Sequence, residues 1–130
     1  MNIRLAAWIG ALAAAQPAYA AHWGVASTGA DGTIVYVDND SIVVRGDQRT
    51  FWAKFDKSHV KTTTDRDILT RYVLDCRAGN YASTAMIAHK PDGRASASWT
   101  QPSYQSPQWE PIAPDTLMEG IQKFVCPFSG

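Results

Sequence analysis

The stretch PDTLMEGIQKFVC, residues 114–126, predicts a short amphipathic helix close to the end of the chain. Thr116 followed by Glu119 is the pattern of a capping box, in which each side chain accepts a hydrogen bond from the other residue's backbone N–H. Apolar side chains then recur at helical spacing, at Leu117, Met118, Ile121, Phe124 and Val125. Because Pro127 follows directly, we expect the helix to end at Cys126.

The first twenty residues have the features of a signal peptide. A short basic end at residues 1–4 precedes an apolar run over residues 5–15, and Ala18-Tyr19-Ala20 forms a small-x-small cleavage site. The apolar run is too short to span a bilayer. We therefore expect a leader over residues 1–20, a mature chain that begins at Ala21, and a periplasmic or secreted protein. An uncleaved N-terminal anchor is the alternative.

Export determines how the two cysteines are interpreted. In an oxidising compartment a pair of cysteines usually forms a disulfide, so we expect a bond between Cys76 and Cys126. In the chain-entropy model, closing a loop of this length stabilises a fold by about 4 kcal/mol. A redox-active pair is the alternative, and it is disfavoured because the two residues lack Cys-x-x-Cys spacing.

Length and charge restrict the class of protein. The chain has 130 residues, enough for a single domain, which we place at residues 21–130. Removing Arg4 with the leader leaves eleven basic side chains against twelve acidic ones. This balance argues against a nucleic acid or a membrane surface held by bulk charge.

Between the leader and the helix, alternating apolar residues predict six to seven strands. These are residues 22–27, 33–38, 42–44, 49–55, 67–77, 81–89 and 94–99. Tight turns at Asp31-Gly32, Gly46-Asp47 and Pro91–Gly93 indicate consecutive hairpins, hence an antiparallel sheet. Strands followed by a helix are the α+β pattern. We expect the helix to pack on the face that carries Cys76, tied there by the disulfide, and the other face to be partly open or to pair with a second copy.

Proline is concentrated in residues 100–114, which predicts an extended connection that is a poor strand. Trp109 lies in the middle of this connection, and we expect it to close one end of the core. Two other aromatic residues, Trp52 and Tyr81, are candidates for exposure on the helix-free side of the sheet. Core filling is the favoured interpretation of both residues, and exposure is the alternative.

The order of the motifs along the chain resembles the surface-adhesin protein E-like family of Gram-negative bacteria. The motifs are Trp23, Tyr36-Val37-Asp38, Ser41-Ile42, Phe51-Trp52-Ala53-Lys54, Asp75-Cys76, Tyr81, Trp109, Ile112, Pro114 and Cys126. The resemblance implies a six-stranded antiparallel sheet whose concave face holds a C-terminal helix through the disulfide. It also implies an adhesin for host matrix and plasma proteins, and a homodimer as one assembly.

One feature of the resembled adhesin is missing here. That adhesin is a lipoprotein, whereas this sequence has no cysteine near the predicted cleavage site. We therefore expect a protein that is not lipid-anchored.

Few residues suggest chemistry. The three histidines, His22, His59 and His89, lack metal-ligand spacing, so we expect no metal and no cofactor. Asp38 and Asp40 are close enough to act as paired carboxylates, but their turn-rich surroundings favour a role in the turn. We expect no catalytic residues and no enzymatic activity.

The tripeptide Arg45-Gly46-Asp47 is the sequence that host integrins recognise, and it falls at a predicted hairpin tip. It is a candidate binding motif. The favoured interpretation, however, is that Gly46 and Asp47 simply form the turn and Arg45 ends a strand, because three-residue matches carry a high false-positive risk.

Two functions remain open at this point. The first is an exported, non-enzymatic binding protein with a protein partner, including host extracellular matrix, held by strand edges or the helix-free face. The second is a periplasmic housekeeping or inhibitor protein of the cell envelope, whose stiff proline-rich segment enters a partner's cleft. Neither involves nucleic acid or a membrane span.

Overall fold

The structure is a computed structural model that describes residues 21–130. The predicted leader, residues 1–20, lies outside the described residues. The described part contains eight strands and one α-helix, in this order: β1 Trp23–Thr28, β2 Ile34–Asp38, β3 Val43–Arg45, β4 Gln48–Asp56, β5 Asp67–Asp75, β6 Asn80–His89, β7 Ala95–Thr100, β8 Glu110–Pro111 and α1 Leu117–Val125. The α+β architecture predicted from the sequence is confirmed.

All eight strands form one antiparallel sheet. Six of them lie side by side in the order β1-β2-β4-β5-β6-β7. The short strand β3 continues the β2 edge along β4, after a 3-10 turn at Asn39–Ser41, and β8 likewise continues the β7 edge along β6. β8 is the strand that the sequence prediction missed, since its two residues lie inside the proline-rich segment.

The core lies between one face of the sheet and α1. Phe51 and Ala53 on β4 and Leu74 on β5 are fully buried, and so is Ile121 on the helix. These strand residues alternate with less buried neighbours, as expected for strands with one covered face. The prediction that the helix covers the face next to Cys76 is therefore confirmed.

The disulfide ties the C-terminal end of α1 to the chain just after β5. The helix contacts β1 and β2 along its length, and Cys126 at its C-terminal end bonds to Cys76, which follows β5. The predicted pairing of the two cysteines is confirmed, and it closes a separation of 50 residues.

The helix N-terminus differs from the predicted capping box in one hydrogen bond. The Thr116 hydroxyl accepts from the Glu119 N–H as predicted, at 3.4 Å. The Glu119 carboxylate, however, accepts from the N–H of Asp115, at 3.2 Å, rather than from Thr116. Asp115 itself has a positive φ of 59°.

Trp109 does not close the core. Trp109 is 38% exposed and is not one of the residues that pack against the core cluster, so this prediction is wrong. Ile112, three residues further on, is the residue of this connection that packs against the core. Within residues 21–130, no helix has the length and hydrophobicity needed to cross a membrane.

Candidate functional site

The face of the sheet opposite α1 carries rows of side chains that the strand register aligns. One row contains Val25, Tyr36, Lys54, Leu69, Ile87 and Ser98. The adjacent row contains Trp52, Arg71, Ala85 and Thr100. Directly paired residues of neighbouring strands project to the same side, so these rows form one surface, which we call the helix-free face.

The large apolar side chains of the helix-free face remain partly in contact with solvent. Val25 is 57% exposed, and Tyr36, Trp52, Leu69 and Ile87 are half-buried. Trp52 lies on the uncovered side, which is the alternative to the core filling that the sequence favoured. In the described part of the chain, neither a helix nor a second sheet packs on this face, so it is an apolar surface available to a partner.

Two aromatic rings hold the Lys54 ammonium at the centre of the face. Its Nζ lies 4.8 Å from the centre of the Trp23 ring and 5.1 Å from that of Tyr36. Cation–π contacts of this kind keep the long lysine side chain lying flat between the rings. The face is therefore aromatic with an embedded positive charge.

Tyr81 lies on the helix side of the sheet and packs against the core, so core filling, the favoured interpretation of the sequence, is confirmed for this residue. Its ring centre is 5.8 Å from that of the core residue Tyr72. The cause of this placement is a bulge in the β5–β6 pairing at Thr84, which reverses the alternation of side chains along β6. Burial, and then the neighbouring Glu110 carboxylate, raise the pKa of the Tyr81 hydroxyl above its ordinary value.

A groove of about 570 Å³ opens at one end of the helix-free face. Trp52, Arg71 and Ala85 line its floor, and the start of the proline-rich segment, residues 100–105, forms its wall. The groove therefore lies between the sheet and the loop at residues 100–105, whose backbone is stiffened by proline.

The Arg45-Gly46-Asp47 tripeptide is at an exposed hairpin tip, where the sequence placed it. Arg45 pairs with Gln48, so Gly46 and Asp47 form the two-residue loop, and Gly46 has a positive φ of 59°. All three residues are exposed. Glycine tolerates this backbone conformation without the penalty that a side chain brings.

This tip is attached to the disulfide through hydrogen bonds. The Cys76 N–H donates to the Asp47 carbonyl at 2.8 Å. The buried Arg49 guanidinium donates to the Gly46 carbonyl at 2.8 Å and to the Cys126 carbonyl at 3.1 Å. A cation at a helix C-terminus is favourable, so Arg49 joins the hairpin to the end of α1. This connection was not predicted from the sequence, because it depends on where the helix end lies.

Two groups of histidine and aspartate side chains lie at the surface. His22 forms an ion pair with Asp40, and its backbone N–H donates to Asp38 at 3.1 Å. Asp38 also accepts from the Asp40 N–H as the cap of the 3-10 turn, which confirms its predicted role in the turn.

His89 and Arg66 both contact Asp67, each at 2.8 Å, and join the ends of β5 and β6. His59 lies in the loop that follows β4. In residues 21–130, no group of three or more candidate ligands is placed to hold a metal ion.

The fold and its surface define a class of protein: an antiparallel sheet with one disulfide-tied helix on one face and an uncovered aromatic face opposite. A sequence model of the family described as surface-adhesin protein E matches residues 23–127. The chain belongs to the surface-adhesin protein E family, which confirms the resemblance inferred from its motifs. No curated protein and no solved structure matches it.

Proposed function

We propose that the protein is an exported, non-enzymatic binding protein that holds a protein partner on its helix-free face, with host matrix and plasma proteins as the partner class. The observation that carries this proposal is the set of half-exposed aromatic and aliphatic side chains on that face. Interfaces between proteins are enriched in aromatic residues. Membership of an adhesin family supports the same function.

Binding to immobilised matrix and plasma proteins tests the proposal. We expect saturable binding of the purified protein to at least one of them, and we expect Val25→Asp to weaken it by about tenfold or more, because a carboxylate at an apolar contact must be desolvated. The matched control is Ala30→Asp, which adds the same charge at an exposed turn away from the face. No saturable binding to any protein of the panel would contradict the proposal.

Export is the second part of the proposal. We expect the mature protein to begin at Ala21 and to lack a lipid, which mass spectrometry of the exported material measures directly. The alternative function, a periplasmic housekeeping or inhibitor protein, differs in location. Protease added to intact cells degrades an exposed adhesin but leaves a periplasmic protein untouched.

The exposed hairpin tip favours integrin attachment as a second candidate function. The hydrogen bonds from Cys76 and Arg49 hold the backbone of the tripeptide in one conformation, which reduces the entropy lost on binding. If this function holds, cells spread on the immobilised protein, and a soluble Arg-Gly-Asp peptide inhibits the spreading whereas Arg-Gly-Glu does not. Equal spreading on Asp47→Glu would exclude it.

A further inference from the structure

The groove at the end of the helix-free face combines a flat aromatic surface with one free positive charge. Trp52 and Arg71 are directly paired across β4 and β5, so their side chains lie next to each other on the floor. Ala85 and Ile87 extend this floor with aliphatic surface. A ring-shaped ligand with an apolar side fits such a floor, because tryptophan offers a large, stiff contact area.

The Arg71 guanidinium is a charged group of the groove that has no ion-pair partner in residues 21–130. It is exposed, and its one hydrogen bond goes from Nη1 to the Thr84 hydroxyl at the long distance of 3.4 Å. In the described part of the chain, no carboxylate lines the groove. Lys54 differs, since the Trp23 and Tyr36 rings already surround its ammonium. The groove is therefore suited to a ligand with a single carboxylate or a similar anion.

The wall of the groove supplies neutral polar groups. They are the amides of Gln101 and Gln105 and the hydroxyls of Thr100 and Ser103. Gln101 donates from Nε2 to the Ser106 carbonyl at 3.1 Å, which fixes its side chain and leaves its oxygen free to accept. Amides and hydroxyls both donate and accept, so they match a ligand that carries several hydroxyl groups.

We propose that this groove binds an acidic saccharide through one uronic-acid unit. The carboxylate pairs with Arg71, the apolar face of the sugar ring lies on Trp52, and the ring hydroxyls bond to the Gln101 and Gln105 amides. An acidic peptide also matches Arg71, but its carboxylate side chains offer no ring with an apolar face to lie on Trp52. Nucleic acid is disfavoured, because its affinity comes from many phosphate contacts and the groove has one cation.

Titration calorimetry of the purified exported protein with a glucuronate-containing hyaluronan tetrasaccharide tests the proposal. We expect saturable binding, and no comparable binding of the neutral cellotetraose. Arg71→Gln lowers the affinity for the acidic tetrasaccharide by about ten- to a hundredfold, because a charge-assisted hydrogen bond is lost. The matched control is Arg77→Gln, which removes an exposed arginine outside the groove and leaves the affinity unchanged.

Two further variants distinguish a loss of binding in the groove from a loss of stability of the sheet. Gln105→Ala changes an exposed loop residue and weakens binding severalfold with an unaltered unfolding midpoint. Trp52→Leu weakens it strongly, whereas Trp109→Leu, at a tryptophan outside the groove, does not. Equal affinity for the neutral tetrasaccharide, unchanged binding by Arg71→Gln, or equally tight binding of a tetra-aspartate peptide would each overturn the proposal. Because this assay contains no protein partner, its result is independent of the proposed function.

Discussion

Tyr72 is an ionisable side chain that lies inside the core. It is 7% exposed, and its ring contacts those of Phe51, Phe55 and Tyr81. Burial raises the pKa of its hydroxyl well above the ordinary value of 10.0. Below pH 10 the hydroxyl is protonated in both the folded and the unfolded state. Above pH 10 the unfolded chain releases this proton and the folded protein keeps it, so stability falls as the pH rises.

The first prediction follows from this titration. Between pH 10 and 11 the free energy of unfolding decreases by roughly 1 kcal/mol on account of Tyr72, with a limiting slope of about 1.4 kcal/mol per pH unit at higher pH, and Tyr72→Phe removes that part of the decrease. Urea unfolding at a series of pH values measures it. Tyr104→Phe is the control, because this ring is solvated in the folded state. The same alkaline slope in Tyr72→Phe and in the unmodified protein would contradict the assignment.

Gly120 allows α1 to approach β1 closely, and substituting it gives the second prediction. An added Cβ at this position lies 2.7 Å from the Ser27 Cβ and 3.0 Å from the Ala26 carbonyl oxygen. Helix propensity alone favours Gly120→Ala by about 1 kcal/mol. We expect a net loss of stability of about 1–3 kcal/mol instead, because the helix must move away from the strand.

Urea unfolding of Gly120→Ala measures this loss. Adding Ser27→Gly removes the closest obstacle, so the double variant loses less stability than the sum of the single changes. A Gly120→Ala protein that is more stable than the original would show that propensity outweighs the contact.

For single residues, the sequence predicts a structural role when the residue's partner lies only a few positions away along the chain. Thr116 was identified as a cap because its partner Glu119 is three residues away. The role of Arg49 could not be identified in this way, because its acceptor at Cys126 is brought close only by the placement of the helix. Gly120 is a similar case, since its neighbour Ser27 lies in the first strand.

The helix and its disulfide act together at the scale of elements. The loop closed by Cys76 and Cys126 includes β6, β7, β8 and α1. The helix was expected on the face of β5 that carries Cys76, and the regular pleat of β5 does place Tyr72 and Leu74 on that face in the core. Alternation alone does not give the side of the sheet on which Tyr81 lies, because one bulge residue in β6 shifts the phase and leaves no clear mark in the sequence.

The third prediction concerns this bond. Reducing the disulfide lowers the free energy of unfolding by about 4 kcal/mol, since the unfolded chain regains the entropy of an open loop. Small proteins have a total stability of about 5–15 kcal/mol, so the loss is large. Urea unfolding with and without a reductant measures it. A Cys76→Ala/Cys126→Ala variant is the control, and the reductant should not affect it. Two reactive thiols in the folded, exported protein would contradict the bond.

The two faces of the sheet have different roles in the whole molecule. The helix side is closed by α1 and holds the core, whereas the helix-free face carries apolar side chains that nothing covers in residues 21–130. The sequence predicted this division, because α1 is the one helix its pattern indicated and a single helix covers one face. It could not predict the groove, because the position of residues 100–105 against Trp52 follows from the loop's path and not from a periodic pattern.

The last prediction compares the same residue type on the two faces. Val25 on β1 is 57% exposed on the helix-free face, and Val35 on the neighbouring β2 is fully buried on the helix side. Val35→Ala should cost about 2–3 kcal/mol of unfolding free energy, because it removes buried methyl groups and leaves a cavity. Val25→Ala should cost less than about 0.5 kcal/mol in the isolated protein, as is usual at a surface position.

Urea unfolding at several protein concentrations makes this comparison informative about assembly. A large, concentration-dependent cost of Val25→Ala would mean that a second copy covers the helix-free face, because stability then depends on association. A small cost at every concentration would mean that the face stays open in the isolated protein. In that case the aromatic rows around Lys54 remain available to a partner, because the core on the opposite side holds the fold without them.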